Sequence, residues 1–125
     1  MNREYQADLM RIRAICMAYP EAAEKVSHGS PAFYITKGKV YAYVWRNHHR
    51  DGHTAVMVKT SGRDEQATLV EMDPEFYHVP PYLGPSGWIG LELKGENVDW
   101  QRIEDRIAIS WEMVAPRRLL EAGGR

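Results

Sequence analysis

Cys16 is the only thiol in this chain. One thiol makes no intrachain disulfide and no cysteine-based metal cluster. An excess of charge of one sign is also missing, since 16 Lys and Arg against 17 Asp and Glu leave a formal net charge of -1 with neutral histidines. A chain so balanced has no global attraction for nucleic acid or for an anionic membrane, so any such contact must come from a local patch. No stretch of about 18 apolar residues is present, and the N-terminus lacks a basic segment followed by an apolar one. A cytoplasmic location with no membrane partner is therefore expected. The chain also lacks internal repeats, low-complexity segments and a glycine-rich phosphate loop.

What is present suits one domain. The length of 125 residues allows a single core of modest size, so one domain over 1-125 is expected, with 116-125 as a partly frayed tail. Leu9, Ile12, Cys16 and Tyr19 recur at 3-4-3 spacing, which predicts a helix over 4-18 with one buried face. Tyr19-Pro20 stops it, because the residue before proline is pushed out of the α region. A short second turn of helix is expected from Pro20 over 21-26.

After the turn cluster His28-Gly29-Ser30-Pro31, extended runs are predicted at 32-35 and 40-45, joined by a hairpin through Lys37, Gly38 and Lys39. Alternation sets Tyr41, Tyr43 and Trp45 on one face and Val40, Ala42 and Val44 on the other. A further strand is predicted at 54-60. A short helix over 61-72 follows, capped by Thr60 or Ser61, with Asp64 or Glu65 in its first turn.

The aromatic, proline-rich segment 76-87 is expected to be an ordered connection. A strand over 88-94 turns Ile89, Leu91 and Leu93 inward, and Gly90 on its other face leaves room for close approach. Trp100, Ile103, Ile107, Trp111 and Val114 form the clearest amphipathic stripe, starting from Asn97 or Asp99 and stopped by Pro116. The sum is a two-layer α+β fold, an antiparallel sheet covered by N- and C-terminal helices.

Between the second and third strands, His48, His49, Asp51 and His53 crowd into six residues, with Asp51-Gly52 as a turn pair. This segment is read as a hydrated hairpin tip. Adjacent His48 and His49 point to opposite faces of extended chain, so no metal site is expected from it. Whether its histidines answer to pH or to a metal stays open.

Six segments form an ordered pattern: Cys16 with Tyr19-Pro20-Glu21 and Glu24; Gly29 to Phe33; Gly38-Lys39 before an aromatic strand; Val58-Lys59; Tyr77 to Tyr82 leading into Gly87-Trp88-Ile89-Gly90-Leu91; and Ala115-Pro116-Arg117-Arg118-Leu119. Together they resemble the MmcQ/YjbR family of small bacterial proteins. Two departures stand out. Glu21 occupies the place of a common family glycine, and Trp111 follows Ser110 where the family often has tyrosine. The resemblance implies a compact fold similar to type III secretion chaperones and to a double-wing DNA-binding domain. It brings no enzyme activity and no cofactor with it.

A DNA-binding role needs cations on a common surface, because phosphate contacts supply most non-specific affinity. The candidates are Lys37 and Lys39 on the first hairpin, Arg46, Arg50 and Lys59 on or beside the second, and Arg63, Arg117 and Arg118 elsewhere. Glu21, Glu24, Asp51, Asp64, Glu65, Glu71, Asp73 and Glu75 counter them, and a solvated sheet edge or loop is the ordinary role of each cation. An alternative is a small anionic or aromatic ligand bound near Lys39, Lys59, His78, Tyr82 and Trp88, with Trp88 as a flat wall. Packing and lysine snorkelling explain the same residues.

No catalytic residue or metal ligand is expected. Cys16 lies on an apolar stripe, as inert thiols do, and Ser30 lacks a strand-to-helix elbow. A protein-interaction module is the third reading, through Leu119-Leu120 beyond the last helix. Double-stranded DNA is the partner considered first, and monomer and homodimer both stay open.

Overall fold

The alternating apolar segments pair into one six-stranded antiparallel sheet of order β1-β2-β3-β4-β6-β5. The structure is a computed structural model describing residues 3–46, 53–94 and 98–122. Its strands are β1 (Ala22–Ser27), β2 (Ser30–Ile35), β3 (Val40–Arg46), β4 (Thr54–Val58), β5 (Tyr77–His78) and β6 (Ile89–Glu92). Four α-helices, α1 (Arg3–Met17), α2 (Arg63–Met72), α3 (Trp100–Val114) and α4 (Arg117–Glu121), and a short 3-10 helix at Gly84–Ser86 complete the described elements. This is the expected α+β arrangement, a sheet flanked by N- and C-terminal helices. The hairpin tip expected around His48, His49, Arg50 and Asp51 lies outside the described residues.

The helix stripes fall where their spacing puts them. Leu9, Ile12 and Cys16 of α1 and Ile103, Ile107 and Trp111 of α3 are buried in one cluster with Phe33, Ile35, Val44, Val56, Val58, Ile89 and Leu91. Leu69 of α2 and Leu119 of α4 join the same cluster. Asp99 caps α3 by accepting the Arg102 N–H at 3.1 Å.

Three expectations are corrected. Residues 22–27 form strand β1, because His28 (φ 51) and Gly29 (φ 82) both take left-handed backbone and fold it into a two-residue hairpin with β2. Tyr41 joins the helix-side cluster with Ala42 and Val44, while Val40 packs with Tyr43 and Trp45. The cause is a register shift against β2, where Phe33 faces Ala42 but Tyr34 faces Val40, leaving Tyr41 as the extra residue of a bulge. Ser110 of α3 answers that irregularity: its hydroxyl donates to the Tyr41 carbonyl (2.6 Å) and accepts the Lys59 N–H (2.9 Å).

The third correction concerns the start of α2. Neither Thr60 nor Ser61 is its cap; Gly62 holds that position, and the Glu65 carboxylate accepts the Ser61 N–H at 2.8 Å. Within the segment 116-122, Arg117–Glu121 forms α4, with Leu119 buried. Among the described residues, no helix is long and apolar enough to cross a membrane.

Candidate binding site

The turn between β2 and β3 is fixed from two sides. Lys37 takes left-handed backbone (φ 64), Gly38 N–H donates to the Ile35 carbonyl at 2.6 Å, and Ile35 N–H donates to the Lys39 carbonyl at 3.1 Å. Thr36 then donates both its N–H (2.8 Å) and its hydroxyl (2.9 Å) to the Glu21 carbonyl. Glu21 itself is left-handed (φ 58), a conformation glycine adopts at no steric cost.

The Glu21 side chain explains how a non-glycine residue serves there. Its carboxylate accepts two hydrogen bonds from Arg118 of α4, one at 2.5 Å and one at 2.8 Å. That pairing holds the Glu21 carboxyl below its ordinary value. It also brings the C-terminal helix to the tip of the first hairpin. Lys37, Lys39, Glu21 and Arg118 thereby line one cleft of about 570 Å³, with Ile35, Met113 and Pro116 among its apolar walls. Three cations and one carboxylate leave this cleft a net charge of +2.

The other described basic candidates do not line it. Arg46 ends β3 seven residues from Lys39, about 23 Å of extended chain, and its guanidinium lies 5.0 Å from the Tyr5 ring centre. Exposed Arg63 opens α2, and Arg117 pairs with Glu121 at 2.8 Å. Arg50 falls outside the described residues.

The ligand candidates divide as well. Lys59 Nζ is 6.0 Å from the Trp88 ring centre, and Trp88 packs against Tyr43 at 5.3 Å on the sheet face away from the helices. Tyr82 is 80% exposed. His78 sits beside His53 and Glu92, and Lys39 belongs to the basic cleft. Cys16 is buried, and burial together with the nearby Glu24 carboxylate pushes its thiol up, away from the reactive thiolate.

Two groupings escape a linear reading. Arg118 and Glu21 are 97 positions apart, and His53 and Glu92 are 39 apart. The residues Pro116-Arg117-Arg118 are visible as a helix stop with positive charge, yet nothing in their spacing points to the α1–β1 connection.

Comparison with known proteins agrees with this architecture. The YjbR family model matches residues 17–113. The crystal structure of Deinococcus radiodurans protein DR2400, with a DUF419 domain, is similar with a TM-score of 0.65 at 16% identity, covering 84% of this chain and 76% of that one. At that identity the likeness speaks for the fold alone. No curated protein matches the chain.

Proposed function

We propose, from the premise that this chain belongs to the YjbR family, that it is a non-enzymatic protein that binds double-stranded DNA through the first hairpin and α4. The observation that carries this reading is the convergence of Lys37, Lys39 and Arg118 on one cleft of net charge +2. Phosphate oxygens accept from such groups without regard to sequence, so the contact orients and holds a duplex rather than reading bases. Arg118 is already positioned by Glu21, while Lys37 and Lys39 are exposed on a turn with few internal degrees of freedom.

The test is fluorescence anisotropy of a labelled random-sequence duplex at two salt concentrations. Binding is expected within the non-specific range of about 1–100 μM, with a salt slope near -2 to -3 for two or three phosphate contacts. Lys37→Glu with Lys39→Glu abolishes it. Flat titrations at low salt up to about 100 μM would remove the DNA reading.

A second reading rests on the concavity of the same cleft, whose volume is in the usual range for small ligands. Saturable binding of a mononucleotide or pyrophosphate, lost in the same double variant and insensitive to duplex, would select it.

A further inference from the structure

The sheet edge formed by β4, β6 and β5 gathers a second set of polar side chains, far from the basic cleft in composition and charge. On β6, Gly90 and Glu92 are two residues apart and share the face away from the helices. Strand pairing sets His78 of β5 opposite Gly90 and Ala55 of β4 opposite Glu92. The His78 ring lies flat on Gly90, so closely that a Cβ there would be 2.3 Å from its Cε1 atom. His53, just ahead of β4, stacks on the His78 ring with centres 3.8 Å apart and planes 8° apart. Both imidazoles turn Nδ1 toward one carboxylate oxygen: His53 Nδ1 is 2.5 Å and His78 Nδ1 is 3.3 Å from Glu92 Oε2.

The polar accounting around this cluster does not close. The His78 contact lies off the line of a hydrogen bond. Both His78 ring nitrogens and Glu92 Oε1 are buried with no hydrogen-bond partner among the described residues. Unsatisfied groups of this kind cost about 1–3 kcal/mol each, and a cation held by one His78 nitrogen and Glu92 Oε1 would satisfy two of them. One ligand atom from each of His53, His78 and Glu92 lies within 4.8 Å of the others.

We propose that His53, His78 and Glu92 form a binding site for one divalent transition-metal ion, with zinc as the fitting probe. Two imidazole nitrogens and a carboxylate oxygen are the donor set of open zinc sites, in which water takes the fourth position. Nitrogen donors disfavour magnesium and calcium, which take oxygen ligands. Metal–ligand bonds of about 2.1 Å put tetrahedral ligand atoms about 3.4 Å apart, so modest ring tilts that splay the stack complete the site. The three ligands come from or adjoin neighbouring paired strands, which limits the ordering left to do on binding.

The experiment uses the full chain without an affinity tag. Zinc chloride is titrated calorimetrically, and the histidine ring signals are followed by NMR. One equivalent is expected to bind with a Kd on the order of 10 μM or tighter, with the His53 and His78 signals moving together and magnesium moving neither. His78→Gln and Glu92→Gln each weaken zinc at least about tenfold. The native-chain NMR arm stands even if either variant fails to fold. The site is overturned if zinc moves only His28, His48 or His49, or if both folded variants keep native affinity. Binding weaker than about 1 mM overturns it too.

Discussion

On the helix-side face of the sheet, Phe33, Ile35, Val44, Val56, Val58, Ile89 and Leu91 meet side chains from all four helices. On the opposite face, Trp45, Ala55, Met57 and Trp88 are buried with Val40, Tyr43 and Leu83 packed against them. The first face mixes aliphatic side chains with aromatic ones such as Phe33 and Tyr41, and the helices cover it. The second is covered largely by rings of its own strands, with Tyr43 5.9 Å from Trp45 and 5.3 Å from Trp88. Beyond the reach of those rings, the same face passes into His53, His78 and Glu92. One face thus secures the fold, and the other has chemistry to spare.

Three substitutions separate these roles, in order of decreasing effect. Trp111 is fully buried in the helix-side cluster and stacked on Tyr19 at 5.3 Å. Trp111→Ala is expected to destabilise by about 3–5 kcal/mol, measured by urea unfolding. A loss below about 1 kcal/mol would mean the helix-side cluster is not the principal core.

On the other face, Gly90→Ala forces a methyl group into the His78 ring. A cost of about 1–3 kcal/mol is expected from the overpacking, with far-UV circular dichroism unchanged and the zinc response lost. Retention of that response would show that the ring does not need its seat on Gly90.

The smallest effect is expected from Glu92→Gln, read as a pH dependence. The folded carboxyl lies below its ordinary value of 4.5, so its ionised form stabilises the native state above that pH. This contribution is lost as pH falls through the folded-state value. Acid unfolding midpoints should therefore show the native chain losing stability below pH 4.5 more steeply than the variant. Parallel curves would mean that Glu92 gains nothing from its histidine neighbours on folding.

Much of the helix-side face was legible in the sequence. The 3-4-3 spacing from Leu9 to Tyr19 and the 3-4-4-3 spacing from Trp100 to Val114 mark buried stripes whatever they pack against. Residues 22–27 were harder, since Ala-Ala-Glu-Lys-Val-Ser has neither helical nor alternating periodicity. Its strand state comes from pairing with β2, and the usable local signal was His28-Gly29. Tyr41 shows a different limit. Period-two alternation holds only while the ladder is regular, and a single extra residue reverses every face assignment beyond it.

The candidate sites follow the same division. The positive charge of Lys37, Lys39 and Arg118 is a property of the sequence, and so is the presence of histidines and carboxylates. Sequence by itself determined the three longer helices, most of the strands, the buried stripes and the α+β class, because these depend on periodicities within a few residues. Only the tertiary structure decided that Arg118 meets Glu21, and that His53, His78 and Glu92 meet over Gly90. Those meetings depend on strand order and on where a chain end docks, and both are set by packing the whole core rather than by any local pattern.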